Sequence, residues 1–164
     1  MKTTTTISML ALAIMSIATQ AQADSLDSNF QANATLSASC RYNTVANINL
    51  SYVPTSDLLK KTAGTAWQIT CSKTLPYTLS LNGGVSGNIL DRTMTSATTT
   101  DSIHYNVYTD INFTNVFGDG TTGATISDVG YGSMHPSIVR FMLYTNQFVS
   151  PGNYSDTLTV TASY

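Results

Sequence analysis

Side chains that often carry chemistry are few in this sequence. His104 and His135 are its only histidines, so a histidine-based catalytic triad or metal site would have to use one of them. His104 lies in a predicted strand and His135 precedes Pro136 in a predicted loop. Neither stands in a His-Glu-x-x-His motif or beside a nucleophile elbow. We therefore predict polar structural positions for both histidines, with no catalytic residues, no metal site and no cofactor.

A glycine-rich run extends from Phe117 to Gly123 and invites comparison with loops that bind phosphate or calcium. It lacks the Lys-Ser/Thr ending with which a P-loop reaches phosphates, and it lacks the spaced acidic ligands of an EF-hand. We predict a turn between two strands, in which glycine supplies the positive backbone angles of a tight turn.

The first 23 residues have the pattern of a secretory signal peptide. Lys2 is followed by an apolar stretch over 7–18, and the small-residue triplet from Ala21 to Ala23 forms a cleavage site. The apolar stretch is shorter than the roughly 20 residues that a membrane-spanning helix needs. We expect cleavage after Ala23, export, one domain in the remaining chain and no membrane span.

Export brings the two cysteines, Cys40 and Cys71, into an oxidising space, where a pair more often forms a disulfide than a metal site. Residue alternation places Cys40 on the strand face of Leu36, and it places Cys71 on the strand face of Trp67 and Ile69. Both thiols should therefore point toward the apolar side. We predict a Cys40–Cys71 disulfide in preference to a metal site or a reactive thiol.

The chain after the predicted signal peptide contains few charged residues. Six Lys or Arg stand against nine Asp there, and charged residues make up 10% of the chain, against about 25% in soluble domains. This composition argues against nucleic acid as a partner, because phosphate binding depends on clustered Lys and Arg. A surface so poor in charge suits a protein whose surface is buried by assembly.

Apolar and polar residues alternate with a period of two in short runs bounded by Gly, Asn, Ser and Pro. Runs of this kind at regular spacing are typical of an all-β sandwich. A loop or exposed edge is predicted over 93–100 and a helical turn over 56–62. The predicted strands cover 29–40, 48–53, 66–72, 77–81, 103–108, 124–129, 138–144 and 154–164.

The first and last of these strands alternate in the same way. At the front the apolar positions are Phe30, Ala32, Ala34 and Leu36, and at the back they are Leu158, Val160, Ala162 and Tyr164. A strand that closes a sheet needs its edge paired, covered or blunted. We expect both ends to be interfaces, and we expect another subunit to supply any pairing that the fold does not.

Three segments carry a more specific pattern: Tyr105-Asn-Val-Tyr108-Thr-Asp110, Phe117-Gly-Asp-Gly120 and Pro151-Gly-Asn-Tyr154-Ser-Asp156-Thr-Leu158-Thr-Val160. Together with the signal peptide, the early Cys40 and the run from Ile69 to Cys71, they resemble the spore coat protein U domain family. The best understood members of that family are the Csu-type pilins of archaic chaperone-usher systems. Phe117 stands where the family commonly has Trp.

The resemblance implies an all-β fold, an incomplete immunoglobulin-like β-sandwich that is completed by donor-strand exchange. Residues 1–23 would be the signal peptide, 24–36 the N-terminal donor segment and 37–164 the pilin domain. The donor strand would present Phe30, Ala32, Ala34 and Leu36. The edge of the acceptor groove would carry Leu158, Val160, Ala162 and Tyr164.

The resemblance also implies a function, that of a structural pilin subunit of a Csu-like pilus used in surface attachment and biofilm formation. Such a subunit would be exported through the periplasm to the cell surface. Its expected partners are a periplasmic pilus chaperone, an outer-membrane usher and neighbouring pilin subunits in a head-to-tail polymer. The alternative is a minor or secreted domain of the same kind that binds a ligand or a surface.

Overall fold

The computed structural model describes residues 24–49 and 61–164, so the predicted signal peptide lies outside the described residues. The chain divides into two units, Met1–Thr35 and Leu36–Tyr164. In the first unit, residues 24–35 form neither helix nor strand and are exposed. Within the described residues, no helix has the length and apolar character needed to cross a bilayer.

The described part of the second unit is built from short β-strands. A single 3₁₀ turn, Gly84–Ser86, lies between the third and fourth strands. The strands are β1 (Cys40–Thr44), β2 (Lys61–Cys71), β3 (Pro76–Leu81), β4 (Arg92–Ser96), β5 (Ser102–Tyr108), β6 (Ile126–Val129), β7 (Met134–Leu143), β8 (Tyr154–Ser155) and β9 (Val160–Ser163). This content confirms the prediction of an all-β fold.

These strands form two antiparallel sheets that enclose one core. Sheet A has six strands in the order β1-β2-β7-β5-β4-β8, and sheet B has three in the order β6-β3-β9. Alternate residues of β2, β3, β5 and β7 point into the core, as a period of two requires. The buried cluster consists of Trp67, Ile69, Cys71, Tyr77, Leu79, Leu81, Ile103, Tyr105, Val107, Phe117, Val139, Phe141 and Leu143.

The longest ladder joins β2 to β7 and runs from the Lys61↔Leu143 pair to the Thr70↔Met134 pair. It extends β2 five residues before the predicted start at Ala66. The helical turn predicted over 56–62 is therefore wrong at Lys61 and Thr62, and its other residues lie outside the described chain. Pairing along a whole strand outweighs a local capping signal.

Two strand predictions and one loop prediction also differ from the structure. Of the strand predicted over 29–40, only Cys40 lies in a strand, because no strand of the described chain pairs with 29–39. Ile48 and Asn49 lie outside any strand, and most of the predicted 48–53 strand lies outside the described residues. The segment 93–100, predicted as a loop or an exposed edge, contains most of β4, which pairs with β5 on one side and, through Thr95 and Ser96, with the two-residue β8 on the other.

The C-terminal strand predicted over 154–164 is divided into two pieces. β8 pairs with β4 in sheet A, whereas β9 pairs with β3 in sheet B. Residues 156–159 belong to no strand and carry the chain from one sheet to the other. Period-two alternation cannot reveal this crossing, since both pieces keep their apolar side chains on the same side of the chain.

Candidate functional site

The edge strand β9 has a single neighbour within the described part of the chain. It pairs with β3 from Leu81↔Val160 to Thr78↔Ser163, and it is the last strand of sheet B. Such an edge presents a row of N–H and C=O groups that another strand can pair with.

Two backbone hydrogen bonds identify which residues of β9 present those groups. Asn82 N donates to Thr159 O at 3.2 Å, whereas Leu81 N turns away from β9 and donates to Gly118 O at 2.9 Å. In an antiparallel ladder, bonded and non-bonded pairs alternate. Val160 and Ala162 therefore direct their backbone groups away from β3, toward the open edge.

A large cavity of about 1280 Å³ opens beside the C-terminal segment. Its floor is the inner face of sheet A, formed by Met94, Ile103, Phe141 and Leu143. The lining also includes Asp156 and Thr157 of the C-terminal segment and residues 47–49. Phe148 also lines this cavity and is 77% exposed. The cavity therefore has an apolar floor open to solvent.

A smaller cavity of about 130 Å³ lies at the other end of the same segment. It is lined by residues 40–42 of β1, by Ile69 of β2, and by Ala162 and Tyr164. Residues 40–42 thus share this cavity with 162 and 164, whereas 47–49 share the large cavity with 156 and 157. The two segments meet in opposite chain order, and we call the two cavities together the C-terminal groove and these two lining segments its walls.

Of the four residues predicted for the acceptor edge, Ala162 and Tyr164 line the small cavity, and Leu158 and Val160 lie in the chain between the residues that line the two cavities. Val160 and Ala162 belong to β9, Leu158 precedes it, and Tyr164 follows it. The first three are partly buried against the core, whereas Tyr164 is 61% exposed. Their side chains cover part of the core while the backbone of Val160 and Ala162 faces outward.

The four residues predicted for the donor face are all exposed. Phe30 and Leu36 are each 90% exposed, and Ala32 and Ala34 are exposed as well. Solvent exposure of two large apolar side chains within seven residues is unfavourable. Full burial would stabilise each of them by about 1.5–3 kcal/mol.

The predicted disulfide between Cys40 and Cys71 is confirmed. The two residues are register partners of β1 and β2, and Cys40 lines the small cavity of the groove. The bond therefore fastens the first residue of the groove wall β1 to a central strand of the core.

Removing this bond should destabilise the fold. The double variant Cys40→Ser, Cys71→Ser opens a loop with a sequence separation of 31, and we expect its free energy of unfolding to fall by roughly 3 to 4 kcal/mol. Urea denaturation of the oxidised protein and of the variant measures this difference. A reducing agent should shift the first curve and leave the second unchanged. A loss below about 1 kcal/mol would contradict the chain-entropy account.

Sequence reasoning missed Arg92, a fully buried residue at the start of β4. Its guanidinium donates to Asn82 O from Nε at 2.9 Å and to Phe117 O from Nη2 at 2.8 Å. It also donates to Ile89 O and to the Asn106 amide oxygen. Burial lowers the pKa of Arg92, while the nearby Tyr105 and Asp156 raise it. No sequence signal distinguishes this arginine from an exposed one.

Sequence reasoning also gave no role to Asp156, which stands in the groove wall. Its carboxylate accepts hydrogen bonds from Val85 N at 2.8 Å, from Thr157 N at 2.7 Å and from the Tyr105 hydroxyl at 2.5 Å. Burial, followed by the Asp156 carboxylate, raises the pKa of Tyr105. The phenol therefore stays protonated and donates.

His104 lies in β5, in a strand as predicted, whereas the loop predicted at His135 is wrong: His135 lies in β7 and is the register partner of Ile69 in β2, because the β2–β7 ladder extends past it. His104 Nδ1 lies 2.8 Å from Asp91 Oδ1, and His135 Nε2 lies 3.3 Å from Asp128 Oδ2. Neither histidine lines the C-terminal groove. Among the described residues, no three His, Cys, Asp or Glu side chains are grouped so that they could hold a metal ion.

The glycine-rich run is a turn, as predicted. Gly118 N donates to Ala124 O at 2.7 Å and Asp119 N to Thr122 O at 3.0 Å. The Asp119 carboxylate accepts from Thr121 N and Thr122 N, so the loop satisfies its own acidic group.

Comparison with known proteins gives a family and a fold. The family model described as "Spore Coat Protein U domain" matches residues 26–161. No curated protein matches the sequence.

Among solved structures, the chain is similar to one chain of the CsuC–CsuE chaperone–tip adhesion subunit pre-assembly complex from the archaic chaperone-usher Csu pili of Acinetobacter baumannii. The TM-score is 0.60 and the sequence identity 22%. The match covers 79% of this chain and 41% of the length of that chain. This similarity concerns the fold.

Proposed function

Because the chain belongs to the Spore Coat Protein U domain family, with a model match over residues 26–161, we propose that it is a structural subunit of a chaperone-usher pilus. In this proposal, residues 24–36 act as a donor strand, and the domain over 37–164 provides the acceptor groove. The donor segment of one copy pairs with β9 of the next copy. Each contact is head-to-tail, so repetition produces a filament.

One observation carries this proposal: within residues 24–49 and 61–164, β9 pairs with β3 alone, and its other edge is unpaired beside the C-terminal groove. Val160 and Ala162 offer backbone groups there, and the floor of the large cavity is apolar. An extended peptide that adds to such an edge gains main-chain hydrogen bonds, and alternate side chains enter the pockets. Phe30, Ala32, Ala34 and Leu36 have the required alternation and are exposed.

The proposed partners are those that would cover the free edge of β9 or deliver the subunit to the fibre. Before assembly, a periplasmic chaperone would occupy the groove, and an outer-membrane usher would pass the subunit to the growing fibre. Attachment to surfaces and biofilm formation would be functions of the finished pilus. Disulfide formation between Cys40 and Cys71 suits a protein that passes through an oxidising periplasm.

Ala162→Pro should block assembly while leaving the isolated fold almost unchanged. Proline removes the N–H that points to the open edge, and an edge strand tolerates proline where the lost N–H faces solvent. We expect no fibres in electron micrographs and no multimer ladder on unheated gels. Ala162→Ser, which keeps the N–H and a small side chain, should assemble normally. Fibres of normal length from Ala162→Pro would contradict the proposal.

Amide hydrogen exchange gives a second measurement that requires no substitution. In the monomer, the amides of Val160 and Ala162 should exchange rapidly, whereas the Thr161 amide faces β3 and should be protected. In the fibre all three should be protected. Equal exchange of Val160 and Ala162 in monomer and fibre would exclude β9 as the pairing edge.

A further inference from the structure

The C-terminal segment reaches its place beside the groove only by crossing between the sheets. β8 belongs to sheet A and β9 to sheet B, and residues 156–159 join them outside any strand. The position of the open edge therefore depends on what holds this crossing. A crossing that moved freely would leave β9 and its neighbouring wall poorly placed for a donor strand.

Two side chains fasten the crossing to the 3₁₀ turn. The Asp156 carboxylate accepts from Val85 N at 2.8 Å, and the Asn82 side-chain oxygen accepts from Thr159 N at 2.9 Å. The same Asn82 oxygen also accepts from Gly84 N at 3.2 Å. The crossing is thus attached near its start and at its end to one short loop.

Close approach of the loop to Asp156 requires glycine at position 84. Gly84 has φ of +64°, and a Cβ there would lie 2.1 Å from Asp156 Oδ2. Any side chain would collide with the carboxylate, and the backbone angle itself disfavours other residues.

Asp156 also connects the groove wall to the groove floor. The Tyr105 hydroxyl donates to Asp156 Oδ2, and the Tyr105 ring stacks on Phe141 with ring centroids 4.8 Å apart. Phe141 is part of the floor of the large cavity. One carboxylate therefore ties together the 3₁₀ turn, the crossing and the core beneath the groove.

We propose that Asp156 is a positioning residue for donor capture, which holds the wall of the C-terminal groove in its receptive arrangement before the donor arrives. This inference rests on the proposed function and adds a role to it. A binding site that is only partly populated in its competent form loses apparent affinity by that fraction. Asp156 keeps that fraction high through its hydrogen bonds with Val85 N and the Tyr105 hydroxyl.

The test measures the capture of a labelled synthetic peptide of residues 24–36 by the full mature chain, using fluorescence anisotropy and stopped-flow mixing. Asp156→Ala should slow peptide association by roughly tenfold or more, because the receptive arrangement becomes a minor state. The dissociation rate should change much less. Asp156→Asn keeps one oxygen acceptor, so its association rate should lie between those of Asp156→Ala and the wild type.

Asp110→Ala is the matched control. Like Asp156, Asp110 accepts several hydrogen bonds, among them those from the backbone amides of Asn112, Thr114 and Asn115. Asp110 does not line the groove. It should leave peptide association near the wild-type rate. Equal slowing by Asp110→Ala and Asp156→Ala would overturn the positioning role and leave only a general loss of stability.

Two further outcomes remain decisive. If Asp156→Ala does not fold, Tyr105→Phe removes one hydrogen bond to the carboxylate and keeps the aromatic stack, and unchanged association with that variant overturns the inference. If the wild-type chain captures no peptide at all, the proposed donor–acceptor function fails first. Loss of peptide capture in the wild type thus contradicts the donor–acceptor function, whereas unchanged association in Tyr105→Phe contradicts only the role of Asp156.

Discussion

A chain that lacks Asp24–Thr35 should fold, form its disulfide and bind its chaperone, and it should terminate every polymer that it joins. The deleted residues form no helix or strand, while the groove and β9 lie in the retained unit. The shortened subunit can therefore receive a donor strand but cannot supply one. Produced alone it should give no fibres, and mixed with the full chain it should shorten fibres in proportion to its share.

The size of this effect follows from what the donor would bury. Phe30, which the deletion removes, is 90% exposed, and its full burial would contribute about 1.5–3 kcal/mol. The main-chain hydrogen bonds with the edge of β9 would be lost as well. Multimer ladders on unheated gels and fibre lengths in electron micrographs measure the result, and normal ladders from the deletion would refute the donor assignment.

A pair of point variants serves as the control for this deletion. Phe30→Asp would place a charge in an apolar pocket, which is costly without a partner, and it should weaken assembly while sparing the fold and the disulfide. Gln31→Asp introduces the same charge on the opposite face of an extended segment and should assemble nearly normally. Equal weakening by both variants would show that the segment does not dock as an alternating strand.

Arg92→Met should cause the largest loss of stability among single substitutions in the described chain. Arg92 is fully buried, and its guanidinium donates to main-chain carbonyls of Asn82, Ile89 and Phe117. Methionine keeps much of the volume but removes the side-chain donor to the Asn82 and Phe117 oxygens, while Ile89 O retains a hydrogen bond from Asn106 Nδ2. Each unsatisfied buried group costs about 1–3 kcal/mol, so we expect a total loss of about 3–5 kcal/mol.

Guanidinium or urea denaturation measures this loss as a change in the free energy of unfolding. Arg92→Lys should recover only part of it, because an ammonium cannot reproduce the planar set of five donors. Arg41→Met, at an exposed position of β1, should change stability by less than about 0.5 kcal/mol. If Arg92→Met and Arg41→Met lowered the free energy of unfolding equally little, the hydrogen bonds of Arg92 would not contribute to stability.

The three sequence motifs that suggested the family converge on this buried network. Arg92 contacts Asn106 from the first motif and Phe117 from the second, and Asp156 from the third accepts from Tyr105 of the first. The motifs are far apart in the chain, so the sequence does not show that their residues contact one another. Family resemblance identified the segments correctly without showing that one arginine and one aspartate join them.

Local pattern was sufficient for most of the sandwich and for the disulfide. Period-two alternation predicted the central parts of β2, β3, β5 and β7, because a strand with one buried face must alternate. The pairing of Cys40 with Cys71 followed from their number and their export, and the strand-face argument holds for Cys71 alone, because Leu36 lies outside any strand and is 90% exposed. These features depend only on neighbouring residues and on the redox compartment.

Long-range contacts decided the rest. The alternation at residues 30–36 marked an apolar face, but a strand requires a partner, and no described strand pairs with this segment. The alternation at 158–164 likewise marked an edge, whereas the crossing at 156–159 depends on Asp156, Asn82 and Gly84 meeting in space. By itself the sequence determined which apolar side chains of the central strands face the core and which cysteines pair. Only the tertiary structure determined which edge has a single neighbour among the described residues, because an edge is defined by the strands that meet in space.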